Sequence, residues 1–214
     1  MRRRALLPVA AAGPPPAAAD VVPEPADGFF HYEPPRPGTY VLHRIRRMPD
    51  GVLLDTLGRR VRLCEVVRGR IAFVSFAYTR CSDPQGCPLL LDRLFAVHEA
   101  TRRDPELARN LAIVTISLDP AYDKPELLRA MEESVDRGGA PWRWLTAESE
   151  EALAPLLEAF GQPVLRTPGQ IYHLLRVFLV DRQGWIREIY GLGFLDPRVL
   201  VNDVRTLLLE EGRG

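Results

Sequence analysis

Val74-Ser75-Phe76-Ala77-Tyr78-Thr79-Arg80-Cys81-Ser82-Asp83-Pro84-Gln85-Gly86-Cys87-Pro88 joins a dense apolar run to an amphipathic one. Upstream, Ile71 to Phe76 is apolar and β-branched and is bounded by Gly69, which predicts a buried strand. Beyond Pro88, Leu89, Leu90, Leu91, Leu94, Phe95 and Val97 recur at helical spacing, predicting a helix to about Arg103. The stretch is a strand–loop–helix junction holding two cysteines. In an open α/β sheet, ligands bind in the crevice beyond the carboxyl ends of the strands.

Working outward, Leu111 to Leu118 predicts a second buried strand. Asp123-Lys124-Pro125-Glu126 reads as a helix start, with Asp123 as the capping residue, and Gly138-Gly139 stops that helix. Trp142 to Leu145 is a short strand candidate, and Ser149 to Phe160 a helix ended by Gly161. Gln162 to Gln170 reads as a loop. Arg176 to Asp181 and Trp185 to Tyr190 flank Arg182-Gln183-Gly184 as a β-hairpin, and a last helix spans about Asp196 to Glu211. Alternating strands and helices make a partly parallel sheet with crossover helices, and the hairpin adds an antiparallel pair. The order predicts an α/β, thioredoxin-like fold: a central mixed sheet with flanking helices and a C-terminal β-hairpin plus helix.

Toward the N-terminus, ten of the 20 prolines precede residue 50, so residues 1–37 form a Pro/Ala-rich segment expected to be extended or disordered, with the domain spanning 38–212. Met1-Arg2-Arg3-Arg4, a short apolar run and Ala17-Ala18-Ala19 outline an export signal, with a low-complexity tail as the alternative. No apolar run reaches the ~18–20 residues of a membrane span. Lys+Arg and Asp+Glu are both 28, and zero net charge argues against nucleic acid or an anionic membrane as partner.

Three cysteines are too few and odd in number for a disulfide framework. Cys64 has no local partner and reads as a buried free thiol. Cys81 and Cys87 lie beside a helix N-terminus, which favours the thiolate, the form that attacks disulfides and binds metals. With Pro88 in the first helical position, Cys87 falls at the cap. The two cysteines stand six positions apart, so they share no helix face, but a loop containing Pro84 and Gly86 can fold the sulfurs together. Of the four histidines, His31, His43 and His98 read as ordinary polar residues. His173, ahead of the strand at 176–181, stays open between ligand and bystander. Two thiolates and one imidazole form a soft trigonal set suited to a copper ion, whereas zinc normally takes a fourth ligand.

These residues resemble the Sco/SenC family of copper-binding thioredoxin-like proteins, which serve assembly of the copper centre in cytochrome c oxidase subunit two. The resemblance runs from about Gly38 to Leu209. It rests on Tyr78-Thr79-Arg80-Cys81 with Cys87-Pro88, on Ser117-Leu118-Asp119-Pro120 followed by Asp123 and Pro125, and on Trp142-Arg143-Trp144-Leu145-Thr146. The family's copper histidine stands five residues before an aromatic in a strand ending in Asp, with a Gly turn beyond. His173, Phe178, Asp181 and Gly184 fit that spacing. Departures are five residues between the cysteines where the family has three, Leu174 where it often has Ser, and no visible membrane anchor.

The resemblance implies that Cys81, Cys87 and His173 ligate copper, and that the two cysteines also act as a redox pair able to reduce a client's disulfide. It further implies a monomeric, periplasmic or otherwise exported protein whose partner is cytochrome c oxidase subunit two or a similar copper protein. Asp119 is a candidate for shaping the site or a plain strand-end turn residue. The enzymatic alternative is a copper-independent periplasmic thiol–disulfide oxidoreductase; a fold relic with only an interaction role is the third reading. Thioredoxin spacing has two residues between its cysteines, and peroxiredoxins carry Thr-x-x-Cys, so neither pattern matches. Only the copper reading needs His173.

Overall fold

The structure is a computed structural model describing residue 22 and residues 30–135 and 138–212. In chain order the strands are β1 (Arg46–Arg47), β2 (Val52–Leu54), β3 (Arg60–Arg62), β4 (Ile71–Ala77), β5 (Leu111–Ser117), β6 (Trp142–Leu145), β7 (Val164–Thr167), β8 (Gln170–His173), β9 (Arg176–Val180) and β10 (Trp185–Gly191). The helices are α1 (Leu63–Val66), α2 (Cys87–Arg103), α3 (Pro105–Asn110), α4 (Pro125–Val135), α5 (Glu150–Phe160) and α6 (Pro197–Glu211). Residues 1–21, where the export signal was expected, lie outside the described residues.

The main sheet has the order β1-β10-β9-β4-β5-β6. β4–β5 and β5–β6 pair in parallel, while β9 runs antiparallel to β4 and β10 antiparallel to β9. This is the expected mixed sheet. All seven residues of both β4 and β5 are buried because helices cover both faces, which is why these strands read as continuous apolar runs rather than alternations. Ile71 and Phe73 point into one core with Leu94, Val97, Leu200 and Val204, whereas Ala72, Val74 and Phe76 point into the other with Leu153, Leu157 and Phe160.

Local chemistry sets the element ends. Ser149 Oγ accepts from Ala152 N–H at 3.2 Å at the start of α5, and Gly161, with φ +63°, supplies the left-handed cap at its end. Asp181 Oδ1 accepts from Gln183 and Trp185 N–H at 3.0 and 2.8 Å, closing the β9–β10 turn. Helix α3 and the β7–β8 hairpin are among the elements that were not expected. Helix α3 begins with Asp104 accepting from Glu106 and Leu107 N–H and Pro105 in the first turn, an Asp-Pro start shared with α6. The expected 162–170 loop is instead part of a β7–β8 hairpin turning at Pro168-Gly169, with φ +84° at the glycine. That hairpin ends on His173.

Candidate functional site

After β4 the backbone leaves the sheet at Tyr78, which is buried and whose hydroxyl accepts from Ile171 N–H at 3.3 Å, tying the loop to β8. Cys81 N–H donates to Tyr78 O at 3.3 Å. The five residues between the cysteines fold as a turn: Asp83 Oδ1 accepts from Gln85 N–H at 3.0 Å and Asp83 O from Gly86 N–H at 2.9 Å. A Cβ on Gly86 would stand 3.2 Å from both Cys81 Sγ and Asp83 O, so glycine there lets the Cys81 sulfur rest against the start of α2. Gly86 is the cap and Cys87 the first helical residue, one step inside the position expected from Pro88.

His173 Nε2 lies 3.4 Å from Cys87 Sγ. Its Nδ1 is 3.0 Å from Leu174 O, a group that can only accept, so Nδ1 carries the proton and Nε2 presents its lone pair to the sulfur. The Tyr78 ring meets the imidazole edge-on, centroids 6.2 Å apart. Cys81, His173 and the Gly191-Leu192 corner line one cleft of about 470 Å³, with Cys87 behind it at 1% exposure. Among the described residues, no three His, Cys, Asp or Glu side chains are closed into a ready-made metal cage. Cys87 and His173 are in contact, and Cys81 faces the same space.

Burial governs the electrostatics. It pushes the Cys87 thiol far up, with the neighbouring Cys81 sulfur adding and the Tyr78 N–H opposing. For Cys87 this corrects the expected thiolate: desolvation of its buried sulfur outweighs the helix N-terminus beside it. Burial also lowers the His173 pKa, against the Leu174 carbonyl and Asp83, keeping the imidazole neutral and able to ligate. The Tyr78 hydroxyl is pushed up to about 12, chiefly by burial and further by Cys81.

A carboxylate hub holds the loop from below. Asp123, fully buried, does not serve as the expected helix cap. Its Oδ2 accepts from Thr79 N–H at 3.1 Å and Ser117 Oγ at 2.6 Å, and its Oδ1 from the Thr79 hydroxyl. Asp119, 3% exposed, receives Arg80 Nη2 at 2.6 Å, and that guanidinium lies 4.1 Å over the Tyr122 ring. Asp119 therefore positions the residue preceding Cys81. The Ser117–Asp119–Asp123 spacing was visible in the sequence, but its link to Thr79 and Arg80 was not, because it spans about forty residues of chain.

The remaining candidates are elsewhere. Cys64 is half-buried rather than buried, sits on α1 with its N–H on Asp50 Oδ1 at 3.0 Å, and does not line the cleft. His31 and His43 are exposed, and His98 is buried beside Trp142.

A search of curated protein sequences finds no match. Solved structures do match. Arabidopsis thaliana ScoI with copper bound superposes with a TM-score of 0.66 at 19% identity, covering 77% of this chain and 99% of that one. A SCO1/SenC family lipoprotein from Bacillus anthracis gives 0.67 at 20% identity, covering 79% and 99%. BsSco, described with a disulfide switch and as a member of the Sco family of cytochrome c oxidase assembly proteins, gives 0.64 at 20% identity, covering 79% and 98%. Likeness at these identities establishes the thioredoxin-like fold. The SCO1/SenC family model matches residues 49–209, three quarters of the sequence and the whole of the thiol cleft, and on that match the chain belongs to the SCO1/SenC family.

Proposed function

We propose that the protein carries copper as cargo, held by Cys81, Cys87 and His173, and delivers it to, or prepares the cysteines of, the copper centre of cytochrome c oxidase subunit two. The observation that carries this reading is the 3.4 Å approach of His173 Nε2 to Cys87 Sγ across 86 residues of sequence, beside the cleft that Cys81 lines. Copper ligation needs this imidazole lone pair as a third donor, whereas thiol–disulfide exchange can proceed without it. Two thiols and a neutral imidazole suit Cu(I), a soft ion that accepts three ligands. Uptake releases both thiol protons, leaving one net negative charge on the loaded site. Removing the Cys87 proton is the costly part, and metal binding supplies the driving force. Release follows by ligand exchange: a client's thiolates replace those of Cys81 and Cys87 one at a time. The Arabidopsis and BsSco structures support the reading through copper and oxidase assembly respectively. An exported, periplasmic setting is part of the proposal, supported by the N-terminal pattern and the lipoprotein relative; among the described residues no helix is long and apolar enough to cross a membrane.

The test is titration of reduced protein with Cu(I) against a competing chelator, for the native chain, His173→Ala and Cys87→Ser. One copper per chain and an affinity loss of at least tenfold in each variant are expected. Stoichiometric binding that survives either change refutes the ligand set.

One observation favours a second, compatible activity: Cys81 opens onto the cleft while Cys87 is buried behind it. Cys81 thiolate would attack a client disulfide, giving a mixed disulfide and one client thiolate. Cys87 would then displace the second client sulfur, leaving a Cys81–Cys87 disulfide and a reduced client. Copper-independent reduction without any Cu(I) binding would make this the primary function.

A further inference from the structure

A groove of about 760 Å³, larger than the thiol cleft, runs between α5 and β7. Its apolar lining comes from Ala154 and Leu157 on the helix and Val164 on the strand. Glu150, Glu151 and Glu158 stand along the helix side. Arg166 pairs with Glu150 at 2.8 Å, which leaves Glu151 and Glu158 without an ion pair among the described residues. Among the described residues β7 pairs with β8 alone and its outer backbone edge has no strand partner, and Leu165 on that strand is 64% exposed. Gln162, 2% exposed and part of the groove wall, donates through Nε2 to Leu174 O at 2.7 Å, while its Oε1 is buried with no hydrogen-bond partner.

We propose that this groove receives an extended, basic peptide segment of a partner protein, which adds as a third strand to the outer edge of β7. Alternation along such a strand turns arginine or lysine side chains to the face shared with Val164 and Arg166, toward Glu151 and Glu158, and apolar ones to the opposite face beside Leu165. The dimensions agree. Eleven residues of α5 extend about 16 Å, the length of roughly five residues of extended chain. Charge selects the occupant: the protein as a whole is neutral, whereas the groove presents two unpaired carboxylates. The location gives the contact its use. Val164 stands opposite His173 in the hairpin, so a segment on β7 is held one strand beyond the thiol cleft. None of this depends on whether the thiols carry copper.

The probe is a fluorescein-labelled hexapeptide of alternating arginine and valine, titrated into the full reduced chain at low salt and followed by anisotropy. Two control peptides accompany it, one with glutamate replacing arginine and one with alternate backbone amides N-methylated. Backbone NMR shifts locate the contact. Binding of the arginine peptide is expected to shift residues 162–167 and to weaken about tenfold in the Glu151→Gln/Glu158→Gln double variant, as two exposed ion pairs predict. The N-methylated peptide is expected to lose at least tenfold more. Absence of binding, equal binding of the glutamate peptide, indifference to the double variant, or shifts mapping elsewhere would each overturn the proposal. Both glutamates are exposed, so the double variant keeps its fold, and its unchanged Cu(I) titration separates this site from the copper reading.

Discussion

Asp123→Ala is the change that should reveal how the thiol loop is held. It removes the acceptor of three donors: the Ser117 hydroxyl, the Thr79 hydroxyl and the Thr79 N–H. Ser117 is fully buried; its oxygen keeps the Asp119 N–H at 3.0 Å, but its O–H donor is left unsatisfied, at a cost of about 1–3 kcal/mol. Thr79 is half-buried and water recovers much of its loss, leaving roughly 0.5–1 kcal/mol for each of its two bonds. Relief from burying a carboxylate offsets part of the sum, for a net destabilisation of about 2–3 kcal/mol. With a urea slope of about 2 kcal/mol/M, the unfolding midpoint should fall by roughly 1–1.5 M at unchanged slope. Asp123→Asn keeps one acceptor and should cost about half as much. Because Thr79 is two residues from Cys81, a double-mutant cycle with Thr79→Val should show a coupling of about 1 kcal/mol. A midpoint shift under about 0.3 M, or strictly additive variants, would refute the hub as the anchor of this loop.

Three further outcomes are expected. Asp203 receives the Tyr40 and Tyr190 hydroxyls at 2.5 and 2.6 Å, yet burial raises its pKa from 3.8 to about 6. The folded state then holds a proton that the unfolded state has lost, so stability should fall as pH rises from about 4 to 6, by at most about 3 kcal/mol, and Asp203→Asn should flatten that slope in pH-dependent urea titrations. Iodoacetamide should modify Cys81 before Cys87 at pH 7, since Cys87 is buried with its thiol pushed up, and mass spectrometry showing the reverse order would contradict that burial. Gly86→Ala should cost about 1–2 kcal/mol and displace the Cys81 sulfur, read as a changed alkylation rate; an unaltered rate with full stability would mean that the 3.2 Å approach is not restrictive.

What the sequence revealed and what it hid follow from range. β4, β5 and the β9–β10 hairpin were legible because their signals are local: unbroken apolar runs and a Gly turn. The β7–β8 hairpin was missed because two four-residue strands around Pro168-Gly169 look like a turn-rich loop, although that dipeptide marks the turn itself. Cys81, Cys87 and His173 could be singled out by type and spacing, but the protonated state of Cys87 depends on aromatic and aliphatic neighbours brought in from distant segments. Asp123 shows the same limit. Its place before Pro125 gave a helix cap, while its actual partners lie on two other segments. Cys64 was expected in the core, yet α1 leaves it half-exposed.

The segment before β1 lies along α6 and is read by it residue by residue. Arg198 donates to the carbonyls of Phe30 and Tyr32, Asn202 to that of Pro35, and Thr206 accepts from Gly38 N–H, while Arg187 on β10 holds the Leu42 carbonyl. The family match begins at residue 49, downstream of all these contacts. A chain shortened to 49–209 would keep both thiols and His173 but remove one or more hydrogen bonds from each of Arg198, Asn202 and Thr206, buried polar side chains on its last helix. The unit that recognises as family and the unit that is chemically self-sufficient are therefore not the same length.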